Sequence, residues 1–352
     1  MTLESPTSGS HRDERQPSAP QSSAAGAPEQ LAQAQKASRL LELHHGASPL
    51  VLINAWDAAS AAMVEHCGLP AVATSSAALA NALSFADGQH LPWEQMLDAV
   101  ARICRAVKVP VTADIESGFA GDAKALETSI RQIIQAGAVG VNLEDVMPEN
   151  AEFRPSDTQS ADLQNAGLKD ADPKNAGPVR HGSPLFPLPE QVARIQAARR
   201  AADTQGIHLV INARTDAYWQ AGVPPEEALR NTLERGQAYL QAGADCIFIP
   251  GLRSPEHIRT VIDYLRANPL PVDPLPIVHG EAAVNILAGP GVPSIPELAK
   301  LGVKRVSYGS GPHRAAMGLL RRIADEAKTS GTYKALTEGA VPYEEINGLM
   351  GK

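Results

Sequence analysis

Residues 109–146 read VPVTADIESGFAGDAKALETSIRQIIQAGAVGVNLEDV, one complete unit of the fold. Val109–Asp114 is a short apolar run. A helical pattern follows from about Asp122 to Ala136, Gly137 stands where a helix ends, and Val139–Glu144 is a second apolar run. Glycine after a helix relieves the left-handed turn that returns the chain to the next strand. Two strands joined through a helix are parallel, because only a crossover of this length connects parallel neighbours.

The same alternation extends in both directions. Pro49–Asn54, Ala71–Thr74, Ile207–Asn212, Asp245–Ile249, Val284–Ala288 and Val303–Tyr308 are further strand-like runs. Helical patterns follow from Ala58, at Trp93–Val107, Pro189–Ala202, Glu226–Ala242, Pro255–Ala267, Ser294–Leu301 and Pro312–Ala327. The Gln-Ala-Gly-Ala turn recurs at 241–244, and Lys300–Val303 places a glycine in the same way. The runs are apolar rather than alternating, as expected of strands covered on both faces. Eight strand–helix units in one region predict a closed (β/α)8 barrel, the TIM-barrel class, rather than an open sheet.

Two stretches lie outside this rhythm. Residues 1–30 are rich in Ser, Pro, Gln, Ala and Gly and are expected to form a disordered tail, because so little apolar area cannot offset ordering entropy. Residues 31–352 are then one catalytic domain. Within it, 149–187 is polar and aperiodic and is expected to be a lid-like insertion over the catalytic rim.

The chain has 31 Lys and Arg against 39 Asp and Glu, a net charge of −8, with no dense basic tract. That argues against nucleic acid and anionic membranes as partners. No apolar run approaches the roughly 18 residues of a membrane span, and the N-terminus lacks the apolar core of a signal peptide. Cys67, Cys104 and Cys246 have no metal-ligand spacing and suit a reducing cytoplasm.

In such barrels the reacting groups sit at the strand C-termini. The strand ends here carry Asn54 and Asp57, then Thr74-Ser75-Ser76 with Asp87 in the following loop, then Asp114 and Glu116, then Glu144-Asp145, and then Asn212, Arg214 and Asp216. Clustered acids repel unless a cation neutralises them. Oxygen donors without Cys favour Mg²⁺ or Mn²⁺ over Zn²⁺. Arg214 would grip a substrate carboxylate with two hydrogen bonds. The Ser75/Ser76 turn would add donors, and the whole would stabilise an enolate formed when a bond next to a carbonyl breaks. Each residue also has a structural reading. Asp57 could be a helix cap and Asp87 a turn residue, Glu116 and Glu144 could pair with basic side chains, and Arg214 could pair with Asp216 or Glu144.

At these residues the chain resembles the phosphoenolpyruvate mutase/isocitrate lyase superfamily. The resemblance rests on LINAWDAASA, VATSSAALANALSFADGQ, VPVTADIESGFAGD, GVNLEDV, INARTDAY and NILAGPG in that order, within about residues 45–325. It implies Asp87, Asp114, Glu116 and Glu144 as Mg²⁺-site acids, with Asp114 bound directly and Glu116 one methylene longer than the usual Asp. It further implies Ser75, Ser76, Asp87 and Arg214 as substrate-binding, Asp114, Glu144 and Arg214 as catalytic, and a homodimer or homotetramer with a swapped C-terminal helix. Residues 146–154 (VMPENAEFR) lack the cysteine motif of the isocitrate-cleaving branch, and Glu149 stands about where the phosphonate branch has lysine. The resemblance therefore points to a metal-dependent lyase that cleaves or decarboxylates a small 2-keto or 2-hydroxy acid. C–P bond mutase or hydrolase chemistry, and a catalytically silent carboxylate-binding barrel, are the alternatives.

Overall fold

A computed structural model describes residues 27–148, 183–268 and 282–350. The strands are β1 (Leu50–Leu52), β2 (Asn54–Ala55), β3 (Val72–Thr74), β4 (Val111–Asp114), β5 (Gly140–Glu144), β6 (Val210–Arg214), β7 (Cys246–Phe248), β8 (Ala283–Leu287) and β9 (Arg305–Ser307). The helices are α1 (Ala27–His44), α2 (Ala58–His66), α3 (Ser76–Ala82), α4 (Trp93–Ala106), α5 (Ala123–Gln135), α6 (Leu188–Thr204), α7 (Pro225–Gln241), α8 (Pro255–Ala267), α9 (Ile295–Leu301), α10 (Gly311–Thr329), α11 (Lys334–Thr337) and α12 (Tyr343–Leu349).

All strand pairs are parallel, in the order β1-β9-β8-β7-β6-β5-β4-β3-β2. The first predicted run is broken at Ile53. Its β1 half pairs with β9 and its β2 half with β3, so this one run closes the sheet on itself into the (β/α)8 barrel. Helix α1 starts at Ala27, inside the stretch expected to be tail; the rest of that stretch, and 149–182 of the expected lid, lie outside the described residues.

The strands are less uniformly apolar than they read. Val141, Leu143, Ile211, Ala213, Val284, Ile286 and Val306 join one core cluster with the helices. The alternate residues fill the barrel, and several are polar. Arg305 Nη2 donates to Asn142 Oδ1 at 3.0 Å, and Asn212 Nδ2 to the same oxygen at 2.7 Å. β9 and β5 lie four strands apart in the sheet, so the Arg305–Asn142 bond crosses the barrel interior. Arg305 is fully buried, and burial lowers its guanidinium to about 10, still protonated at neutral pH. Its Nη1 lies 3.3 Å from Nε2 of His44, whose imidazole burial and Arg305 together push down to about 3.

The helices bury one stripe each. In α4 it is Met96, Val100 and Ile103, and in α5 Leu126, Ile130, Ile133 and Ile134, the spacing expected of a 3.6-residue period. The Gly137, Gly243 and Gly302 turns take φ of 101°, 105° and 97°, which side chains tolerate poorly. Cys104 and Cys246 are packing residues; burial pushes both thiols up to about 12. No helix among the described residues is long and apolar enough to cross a membrane.

At the strand N-terminal rim, Asp245 ties three elements together. Its Oδ2 accepts from Arg199 Nη2 at 2.6 Å and Ile211 N at 2.7 Å, and its Oδ1 lies 2.7 Å from His208 Nε2. Burial alone would raise this carboxyl, but Arg199 and His208 hold it at about 2, below the usual aspartate range. A depressed acid stabilises the fold above its unfolded value and loses that contribution as pH falls towards the folded one. Asp245→Asn is therefore expected to cost about 2 kcal/mol at pH 7 and to flatten the acid limb of stability between roughly pH 4 and 2. Urea unfolding of both proteins at several pH values would measure this. An unchanged acid limb would remove Asp245 as its cause.

The C-terminal helices finish the chain outside the barrel. α12 lies against α2, with Glu345 Oε1 3.5 Å from His66 Nε2. Leu320, Tyr333, Leu336 and Tyr343 of this region are exposed.

Candidate active site

The C-terminal ends of the strands surround a cavity of about 180 Å³. That suits a small metabolite; drug-sized ligands occupy pockets of about 300–1,000 Å³. Asp87 and Asp114 line it from the β3 loop and β4, and Arg214 and Asp216 from the end of β6. Asn54, Ser76, Asn142, Trp219 and Phe248 also contribute to the wall.

Asp114 is held by the turn that opens α3. Its Oδ2 accepts from Ser76 N at 3.0 Å and Ser76 Oγ at 2.9 Å, and its backbone N–H donates to Thr74 Oγ1 at 2.9 Å. Ser75 caps α3, its hydroxyl accepting from Ala78 N at 3.4 Å. The serine turn thus orients an acid, and Ser76 also lines the cavity into which the sequence reading directed its donors.

Glu116 and Glu144 do not reach the cavity wall with Asp87 and Asp114. Glu116 sits at φ 52° in a left-handed turn shared with Gly118 (φ 92°) and Phe119 (φ 52°), and its Oε2 accepts from Gln89 N at 2.8 Å. A Cβ on Gly118 would overlap Leu126, so only glycine fits that turn. Glu144 is drawn to Arg214, whose Nη1 stands 2.7 Å from its Oε2. The four acids named from the sequence are therefore divided, two on the wall and two buried beside it. Asp57 takes its structural reading, capping α2 through Ser60 N at 2.7 Å.

The fork of Arg214 is engaged within the protein. Nε and Nη2 donate to the two oxygens of Asp216 at 2.6 and 2.7 Å, and Nη1 faces Glu144. The guanidinium rests on Trp219 and Phe248, 5.1 and 5.9 Å from the ring centres. Burial would lower its pKa, but Asp216 and Glu144 more than reverse this and raise it well above the usual arginine value. Nε and one N–H of Nη2 are thus committed to Asp216, and Nη1 is ion-paired with Glu144, while the residue lines the cavity. Asp216 is itself fixed by Asp145, whose Oδ1 accepts its backbone N–H at 3.0 Å. Asp145 Oδ2 accepts from Tyr239 Oη at 2.7 Å and Arg235 Nη1 at 3.2 Å. Burial raises the Asp145 carboxyl despite Arg235.

Several participants take roles that the sequence did not assign. Asn54 Oδ1 accepts from Tyr308 N and Gly309 N, both at 2.9 Å, tying the first strand run to the last strand end. Arg194 is buried, donates to Ser117 O beneath the left-handed turn and stacks 4.5 Å over Phe186. Arg253 and Arg314 reach the cavity rim. Nothing in their local sequence distinguishes them from ordinary surface arginines.

The acids imply a divalent cation, and the donor set can be matched against one. Among the described residues no three His, Cys, Asp or Glu side chains form a closed metal cage. Mg²⁺ and Mn²⁺ do not need one, since they keep waters and take one or two carboxylates plus substrate oxygens. Asp87 and Asp114, both oxygen donors on one small cavity wall, fit that requirement.

Known proteins share this arrangement of strands and sequence. A candidate phosphonomutase from Burkholderia cenocepacia J2315 is 34% identical, with a TM-score of 0.67 over 84% of this chain and 99% of its own. The 2,3-dimethylmalate lyase of Eubacterium barkeri is 27% identical over 320 residues, 90% of this chain and 94% of that one. Phosphonopyruvate hydrolase, solved with oxalate and Mg²⁺, is 25% identical with a TM-score of 0.65, covering 90% and 95%. The relatives thus include a lyase and a hydrolase. A family model for phosphoenolpyruvate phosphomutase matches residues 40–328. That span contains all the barrel strands, and the chain belongs to the phosphoenolpyruvate phosphomutase family.

Proposed function

We propose that the protein is a Mg²⁺-dependent lyase that cleaves or decarboxylates a small 2-keto or 2-hydroxy acid and releases pyruvate or a related 2-keto acid. The observation that carries this is the meeting of Asp87, Asp114 and Arg214 on one small cavity wall. Asp114 and Asp87 would hold the cation, and Glu116 and Glu144, buried beside them, would add negative charge on that side of the site. When bound, the cation supplies a Lewis acid beside the carbonyl or hydroxyl oxygen.

The chain's own groups do the rest. The cavity-facing side of Arg214 takes the substrate carboxylate. Asp216 and Glu144 keep the guanidinium from turning, and Asp145 keeps Asp216 in place. Ser76 directs Asp114 towards the cavity by occupying one of its oxygens. Arg305, reaching Asn142 on the cavity wall from inside the barrel, places a buried positive charge below the site. That charge favours the extra negative charge of an enolate.

Purified protein with Mg²⁺ or Mn²⁺ should release pyruvate from oxaloacetate or a substituted malate and should not cleave isocitrate. Oxalate should inhibit by occupying the metal beside Arg214. Phosphate released with pyruvate from phosphonopyruvate, far faster than any diacid is turned over, would favour C–P chemistry. Metal-dependent binding of oxalate with no turnover of any of these acids would favour a silent barrel.

The assembly belongs to the same proposal. The exposed Leu320, Tyr333, Leu336 and Tyr343 of the C-terminal helices favour a homodimer or homotetramer in which this region packs on, or swaps with, another copy. Light scattering should give a mass of two or four chains, reduced by Leu320→Asp with Tyr343→Asp. A monomeric wild type would end this part of the proposal.

A further inference from the structure

The cavity is polarised in charge. Its acids, Asp87, Asp114 and Asp216, come from the β3, β4 and β6 ends. Further round the rim, Arg253 follows β7, next to β6, and Arg314 lies in the first turn of α10, after β9. β8 lies between those two strands, and its loop is Gly289-Pro290-Gly291, also on the cavity lining at Gly289 and Pro290. A Cβ on Gly289 would meet nothing within 4 Å, so the space beside this loop is open. The Arg253 stem passes beside Gly291, 3.7 Å from where a Cβ would stand.

Neither arginine is used by the fold. Both are exposed, and among the described residues neither guanidinium has a hydrogen bond or an ion pair. Arg214, by contrast, faces two acids, so its charge is already more than balanced. Attraction for an anion at the outer half of the cavity therefore falls to Arg253 and Arg314. Two arginines lining one mouth, on either side of an open glycine loop in strand order, suit a carboxylate that accepts charge-assisted hydrogen bonds.

We infer that Arg253 and Arg314 form a distal carboxylate subsite, and that the substrate is a diacid spanning from the Asp114–Arg214 wall to this pair. The inference rests on the proposed function for its inner half and adds the outer half. One end of the diacid, the 2-keto or 2-hydroxy acid, lies on the acidic side with the cation. The second carboxylate lies between β7 and β9, and the carbon chain joining them crosses below the β8 loop.

Calorimetry with Mg²⁺ present would test both halves separately. Oxalate probes the inner half alone, oxaloacetate and 2,3-dimethylmalate carry the second carboxylate on a four-carbon chain, and 2-oxoglutarate carries it on a five-carbon chain. In the Arg253→Gln, Arg314→Gln double variant, the affinity for at least one of these longer diacids should fall tenfold or more, about 1.4 kcal/mol. Oxalate affinity should change less than twofold. Equal loss for oxalate and the diacids would overturn the inference, because the arginines would then act only through general charge. Unchanged affinity for every diacid would also overturn it, as would failure of all of them to bind the wild type. Failure of oxalate alone, with a diacid that binds and still depends on the arginines, would sink the inner-site proposal and leave the distal subsite standing.

Discussion

Asp114→Asn is expected to lower kcat/KM for the diacid substrate by at least about 10³-fold, roughly 4 kcal/mol at the transition state, and to leave the barrel folded. The substitution keeps an oxygen that can accept from Ser76 N and Ser76 Oγ, so the α3 turn retains its anchor. It removes the negative charge that would hold a divalent cation on the cavity wall. Turnover, melting temperature and Mn²⁺ affinity, followed together, separate these roles. Activity and Mn²⁺ affinity should fall together while the melting temperature moves by only a few degrees. Near-normal turnover would remove Asp114 from the catalytic site. Loss of activity matched by unfolding would make it a structural acid.

Arg214→Lys is expected to fail in both activity and stability. From sequence alone the loss would be mainly catalytic, because a point charge cannot reproduce a two-pronged grip on a substrate carboxylate. The structure adds a second cost. The guanidinium bridges Asp216 and Glu144, both almost fully buried, and an ammonium cannot satisfy the two oxygens of one and reach the other. Removing one partner from a buried ion pair costs about 3–5 kcal/mol, and Lys should recover part of that. Turnover should fall at least about 10²-fold, with a stability loss of about 2 kcal/mol for Lys and more for Arg214→Met. In the Met variant the two acids are left without their cation, and one should take up a proton. Its deficit relative to wild type should therefore narrow as pH falls towards 4. Denaturant titration at pH 7.5 and pH 5 would show this. A Lys variant with wild-type stability and activity would mean that neither function depends on the fork.

Much of this could be read from the chain. Strand–helix alternation is a local property, set by a period of 3.6 against runs of apolar residues with glycine at the turns, and it led to the barrel. The strand ends could be listed in order, so Asp87, Asp114 and Arg214 were legible as neighbours on one rim. The expected tail was shortened where Ala27–Gln30 joins α1, because those residues continue the helix of the domain.

What the sequence by itself determined was the architecture and the rim from which the chemistry is drawn. What only the tertiary structure decided was which groups face one another there. Arg214 is two positions from Asp216 and 70 from Glu144, and only the paired β5 and β6 ends bring all three together. Ser76 turns to Asp114 across 38 positions, although its donors read equally well as a substrate site. Arg305 and Asn142 meet across the barrel at a separation of 163, and Arg253 and Arg314 share a rim only because β7, β8 and β9 are adjacent. A backbone period is written in neighbouring residues. A side-chain partner is chosen by competition among all the donors and acceptors that folding brings within hydrogen-bond range, and those distances exist only once the barrel has closed.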